Sequence, residues 1–99
     1  MTSPSEVEDI IKRLQANKHV QEVLIINDSG QIIKSSMDSG LSKQYSDLIT
    51  KLIEQTINAV KELDDTNDLS FMRIRTKKHE IMIAPDKEYF LIVIQNPEK

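Results

Sequence analysis

His19 and His79 are the side chains in this sequence best suited to proton transfer near neutral pH. Nothing in the sequence sets a nucleophile beside either of them. His19 follows the end of an apolar-periodic stretch and His79 sits in the turn Lys77-Lys78-His79, so both read as solvated turn residues. Ser35, Ser36 and Ser39 could supply hydroxyls, but no G-x-S-x-G elbow surrounds them. The acidic run Glu62-Leu63-Asp64-Asp65-Thr66-Asn67-Asp68 has the look of a calcium loop. It lacks the Gly at the bend and the Glu that closes the twelve-residue frame, and reads as solvated charge at a helix end. Asn27-Asp28-Ser29 matches the glycosylation sequon, yet with no secretory signal it reads as a turn. Arg73, Arg75, Lys77 and Lys78 form a basic cluster with no aromatic residue interleaved, which suits an acidic patch on a protein partner better than nucleic acid. Arg73-Ile74-Arg75-Thr76 also fits a kinase that prefers basic residues, and phosphate on an edge strand would disturb pairing. No catalytic, metal-binding or cofactor-binding set emerges, so the expectation is a protein that is not an enzyme.

Composition narrows the choice further. Ninety-nine residues with no shift in composition imply one domain, residues 1–99. Cysteine is absent, which excludes disulfide scaffolds, thiol catalysis and cysteine-based zinc sites and makes a cytoplasmic address the default. Sixteen acids against thirteen bases give a net charge of −3, which opposes broad binding to a phosphate backbone. Two glycines exclude a glycine-rich phosphate loop. No run of about 18 apolar residues is present, so no membrane span is expected. Met1-Thr2-Ser3-Pro4-Ser5-Glu6 lacks the cationic head and apolar stretch of a signal peptide.

The elements that position these residues are legible in the periodicity. Ser3, Pro4 and Glu6 form a helix start, with Ser3 as cap, and Val7, Ile10, Ile11 and Leu14 follow on one apolar stripe. Residues 20–27 contain Val23-Leu24-Ile25-Ile26, a continuous run that reads as a strand buried on both faces. A turn at Asn27-Asp28-Ser29-Gly30 leads to a return strand over 31–37. Ser42 is the expected cap of a long helix ending near Leu63. Leu41, Tyr45, Leu48, Ile49, Leu52, Thr56, Ala59, Val60 and Leu63 share its core-facing stripe, while Ile53 and Ile57 fall outside it. Strands over 69–76, 80–84 and 89–95 then form a meander.

The order is an α-β-β-α-β-β-β sandwich with a five-stranded, mainly antiparallel sheet. Strands 20–27 and 89–95 are expected at its centre and strands 31–37 and 69–76 at its edges. Five strands make a sheet about 24 Å wide, and one helix covers about 10 Å, so apolar surface is left over for another chain. The 69–76 edge, longer and less protected, is expected to pair with its own twofold mate into a continuous ten-stranded sheet. The dimer interface is then expected at Ile53, Ile57, Phe71, Met72 and Ile74. Arg73, Arg75, Lys77, Val7, Ile10 and Ile11 are the candidate partner-binding residues.

Asn67 to Lys78, Glu80-Ile81-Met82-Ile83-Ala84-Pro85-Asp86 and Tyr89-Phe90-Leu91-Ile92-Val93-Ile94-Gln95-Asn96-Pro97 closely resemble the C-terminal half of the roadblock-type dynein light chains. Glu8 to Lys18 and Ile33-Lys34-Ser35-Ser36-Met37-Asp38 extend the likeness over nearly the whole chain. The long helix diverges most, and His79 stands where Asn is expected. The resemblance implies a non-catalytic homodimeric subunit of the dynein motor, held by the dynein intermediate chain among other dynein subunits. It would serve microtubule-based transport in the cytoplasm or an axoneme, with no nucleic acid, membrane or cofactor involved. An amphipathic segment of the intermediate chain would lie across the dimer as the missing cover. The wider family includes scaffolds and regulators of small GTPases, often with a third helix after the last strand, and such a scaffold is the alternative reading. With Lys99 as the last residue, no third helix is expected here.

Overall fold

The computed structural model describes residues 4–86 and 88–96, the side chains of Pro4 and Val7 excepted. Helix α1 runs from Pro4 to Gln15, with proline where its missing N–H costs nothing. The expected cap, Ser3, lies outside the described residues. The chain turns at Asn17, whose side chain accepts from the backbone N–H of His19 at 2.9 Å, and enters strand β1, Val20–Asn27. Val23, Leu24, Ile25 and Ile26 are fully buried, as an apolar run with no alternation requires. The Asn27 carboxamide oxygen accepts from the backbone of Ser29 at 3.0 Å and Gln31 at 2.9 Å, so the sequon residues form a self-braced turn. Strand β2, Ile32–Ser35, is shorter than the expected 31–37. Ser36 and Met37 leave it to enter the next helix, the Met37 N–H donating to the Ser35 hydroxyl at 3.0 Å.

Helix α2, Ser39–Leu63, is capped by Asp38 and not by Ser42. The Asp38 carboxylate accepts the Leu41 N–H at 2.8 Å, a contact worth about 1 kcal/mol, and so the helix starts earlier. Ser42 is instead buried inside the helix, its hydroxyl 2.6 Å from that of Ser35 on β2. The helix buries Ser42, Ser46, Ile49 and Ile53, a stripe at i, i+4, i+7 and i+11. Serine is small enough to bring α2 close to β2 and the 27–31 turn, where the Ser46 hydroxyl donates to the Gly30 carbonyl.

That close approach sets a requirement at Gly30. Its φ is +86°, and a Cβ there would stand 2.9 Å from Thr50 Oγ1. Gly30→Ala therefore meets both backbone strain and a clash, and is expected to cost about 1–3 kcal/mol, read as a lower urea midpoint at unchanged m.

Strands β3 (Met72–Arg75), β4 (Glu80–Pro85) and β5 (Tyr89–Gln95) complete a five-stranded antiparallel sheet in the order β2-β1-β5-β4-β3. The two most apolar strands are central neighbours, as their lack of alternation implies. Strand β3 is shorter than 69–76 because Leu69 to Phe71 run outside the sheet. The 76–79 turn is closed by Thr76, whose N–H and hydroxyl both donate to the His79 carbonyl. On one face, α2 places Ile49 and Ile53 over Leu24, Ile26, Ile83, Phe90 and Ile92. On the other, Ile11 of α1 packs on Val23 and Ile25 of β1.

Candidate functional site

The two sheet edges are built differently. At β2, Ile25 faces Lys34 but Ile26 faces Ile32, so Ile33 is an extra, bulged residue. Lys34 also reaches Glu8 of α1 at 3.7 Å. A short, bulged, lysine-bearing strand is a poor template for a further strand. At β3, four residues pair with β4 in unbroken register, and the outer side has no strand neighbour among the described residues.

Next to this edge, on the α2 side, lies a groove of about 380 Å³ walled by Leu41, Tyr45, Leu48 and Leu52 of α2 and by Ile74 and Ile81 of β3 and β4. Leu48 is 59% exposed and Leu41 40% exposed. The groove exists because α2 sits toward β2 and only partly covers the β3 side of the sheet, where Thr56 reaches Met72.

The opposite face of the same edge carries charge. Arg73 and Arg75 alternate with Met72 and Ile74, and the arginines are exposed. Between them Glu80 is buried, with Arg73 Nη2 at 3.1 Å, Arg75 Nε at 3.6 Å and Gln95 Nε2 donating at 2.8 Å. Two cations and an amide are what make a buried carboxylate tolerable.

These positions correct the sequence reading in three places. Ile53 is fully buried under α2 in the subunit's own core, so it has no surface to give a dimer interface. The surplus apolar surface of α2 belongs instead to Leu41 and Leu48, which the expected stripe had turned inward. The signal that could have found them is the pair Ser42 and Ser46, small residues that mark the true contact line. Ile11 is also a core residue, closed in against β1 and not offered to a partner. Ile10 is half-buried on α1, and the side chain of Val7 lies outside the described residues. Helix α1 packs on β1, about 14 Å across the sheet from β3, so it does not join the β3 site. Met72, Ile74 and Ile57 are half-buried against the α2-side core, Phe71 is 51% exposed just before β3, and Lys77 is exposed in the 76–79 turn. Glu80 went unnoticed in the sequence. Its place across the turn from Arg75 was the available cue.

Several of the remaining polar groups are engaged in structure. Ser36 Oγ donates to Glu22 and accepts from the Val23 N–H, and the Ser35 and Ser42 hydroxyls are hydrogen-bonded to each other. In the acidic linker, the Thr66 hydroxyl and N–H donate to Asp64 and hold its carboxyl below the ordinary value, while Lys61 pairs with Asp68 at 2.7 Å. Burial, followed by the neighbouring Asp86, pushes the Tyr89 phenol up. Among the described residues, no three His, Asp or Glu are grouped to hold a metal ion, and no helix is long and apolar enough to cross a membrane.

A family model described as the Roadblock/LC7 domain matches residues 6–96. The chain belongs to the Roadblock/LC7 family. Solved structures share its fold at low identity. A Roadblock/LC7 domain from Streptomyces avermitilis superposes with a TM-score of 0.78 at 14% identity, covering 86% of this chain and 72% of that one. Myxococcus xanthus MglB gives 0.79 at 14% identity, covering 96% and 79%. The gliding protein MglB from Thermus thermophilus gives 0.80 at 8% identity, covering 97% and 76%. At such identities the roadblock fold is what is shared.

Proposed function

We propose that this roadblock chain is a non-catalytic assembly subunit, a homodimer that pairs through β3 and holds a segment of the dynein intermediate chain within the motor. The observation that carries the reading is the regular β3 edge, which has no outer strand neighbour among the described residues, with an apolar groove beside it. Two β3 strands in antiparallel register extend the sheet to ten strands and turn both grooves toward each other. Exposed Leu48 and Leu41 of the two α2 helices then have something to bury against. A twofold seam of this kind is self-complementary, as a closed dimer demands. The choice of motor partner rests on the residues over 67–97 that resemble roadblock-type dynein light chains. Two identical sites in one dimer would hold two intermediate chains together through their linkage.

Affinity purification of the tagged full-length chain from cytosol, with identification of what is bound, tests the reading. Intermediate chain recovered with other dynein subunits, in the same amounts with GTP or GDP, is the expected result. Nucleotide-dependent recovery of a small GTPase in their place would reassign the chain to the GTPase-scaffold function.

A further inference from the structure

Glu22 interrupts an otherwise apolar row of the sheet. Register sets Glu22 of β1, Ile94 of β5, Ile81 of β4 and Ile74 of β3 side by side. Facing residues of a ladder share a face, so Glu22 projects to the α2 side, as Leu24 and Ile26 do further along β1. Its neighbour Ile94 is 2% exposed, and Glu22 itself is half-buried. The carboxylate accepts from the Ser36 hydroxyl, and no cation pairs with it among the described residues. A carboxylate can accept about four hydrogen bonds, so this one is short of donors.

It faces a cavity of about 620 Å³ between the first turns of α2 and the 76–79 turn. Met37, Leu41 and Ile94 supply the apolar wall, and Glu22, Tyr45 and His79 the polar one. Tyr45 and His79 are half-buried, and neither the phenol nor the imidazole has a hydrogen-bond partner among the described residues. Backbone contacts hold the ring in place: the His79 N–H donates to Thr76 Oγ1 at 3.0 Å, and the His79 carbonyl accepts from that hydroxyl. The remaining polar residue of the lining, Gln21, is already engaged, its Nε2 donating to Asn96 at 2.6 Å.

We propose that this cavity receives an arginine side chain of a partner protein, with Glu22 as its counter-ion, Tyr45 as its platform and His79 as a further acceptor. A carboxylate only accepts, a neutral imidazole offers one acceptor nitrogen, and a phenol ring presents an electron-rich face. Such a set calls for a flat cation with several N–H donors. A guanidinium can donate two parallel bonds to Glu22 while its plane lies on the Tyr45 ring, and its stem suits Met37, Leu41 and Ile94. Lysine brings the charge without the plane. No residue with a fixed positive charge lines the cavity, so the carboxylate of a free amino acid or the phosphate of a nucleotide would meet no counter-ion there. Arginine within a peptide chain carries no such group. The pocket is complete in one subunit and goes beyond the reading above, since it needs neither β3 pairing nor a particular motor.

The test follows amide signals of the isotope-labelled full-length chain by NMR during titration with capped glycine-alanine peptides that differ only at a central arginine, lysine or citrulline. The arginine peptide is expected to shift the signals of Glu22, Tyr45 and His79. It should bind about threefold more tightly than the lysine peptide and about tenfold more tightly than the uncharged citrulline peptide. Agmatine, a free guanidinium compound, should bind no more tightly than the arginine peptide. Glu22→Gln keeps the shape and an acceptor for Ser36, and should weaken the arginine peptide about tenfold while citrulline binding holds. His79→Lys, which leaves Glu22 in place, puts a cation in the pocket wall and should also drive the arginine peptide off. Equal binding of the arginine and citrulline peptides, tighter binding of agmatine, or arginine binding that survives both substitutions would overturn the proposal. A chain that stays monomeric, or recovers a GTPase in place of dynein subunits, defeats the reading above and leaves the pocket standing. A dimer that recovers dynein chains yet ignores the arginine peptide defeats the pocket alone.

Discussion

Ile74→Lys is expected to convert the proposed β3-paired dimer into folded monomers. Ile74 is half-buried on the α2 side of β3, facing Ile81 in register and lining the apolar groove. In the proposed paired sheet it would lie next to its own symmetry mate or within one residue pair of it. The substitution would therefore set two ammonium groups in one apolar seam, beside a groove whose lining among the described residues includes no carboxylate. Desolvating an unpaired charge costs several kcal/mol, and about 4 kcal/mol already weakens the dimer about a thousandfold. Within a single subunit the cost is smaller, since a lysine at a half-buried edge can run its stem over the sheet and put its head in water. Leu48→Lys separates the two effects. At 59% exposed, Leu48 supports little of the subunit, and its replacement should shift subunit stability by no more than about 0.5 kcal/mol. It should nevertheless weaken the dimer, because it charges the same groove from the helix side. Sedimentation velocity over a concentration series reads both outcomes. Dimers of unchanged strength in both variants would remove the β3 seam from consideration.

The contrast between Ile53 and Leu48 also shows what a lone sequence can and cannot convey here. Sheet order was legible because Val23 to Ile26 and Tyr89 to Ile94 are apolar at both parities, and only a central strand accommodates that. The alternation of Met72, Arg73, Ile74 and Arg75 was legible for the converse reason, a strand with one dry and one wet face. The rotation of α2 was not. Hydrophobic spacing alone yields a wide apolar arc whose middle is not the contact line. Contact is in fact set by side-chain volume: Ser42 and Ser46 let α2 descend onto β2 and Gly30, and that descent swings Leu41 and Leu48 outward. Polar residues that are buried because they are small carry no signature in a hydrophobicity pattern. The Glu80 cluster was hidden for a related reason. A carboxylate among exposed arginines looks like surface until register shows that one position serves both. Strand ends at β2 and β3 shifted because Asp38 captures the chain for α2 early and because Leu69 to Phe71 have no ladder partner among the described residues.

Ile53→Ala is expected to produce the largest loss of subunit stability and to leave the seam itself intact. Ile53 is fully buried and packs with Leu24, Ile26, Ile83 and Ile92, the cluster that joins α2 to the central strands. Removing its outer carbons leaves a cavity between rigid layers, at a cost of about 2–5 kcal/mol. Domains of this size have about 5–15 kcal/mol in all, so the variant should unfold near the margin. Ile57→Ala, one turn on and half-buried, should cost less than half as much. Since folding and pairing are coupled by mass action, urea midpoints must be compared at two protein concentrations. For Ile53→Ala the midpoint should fall at both, and the difference between them should match the unsubstituted chain. For Ile74→Lys the pattern reverses: the dependence on concentration disappears while the midpoint at high dilution changes little. An Ile53→Ala chain that kept its midpoint at high dilution but lost its concentration dependence would place this side chain in the seam. Helix α2 would then have to sit turned by about 100°, with the leucines inward and the serines out.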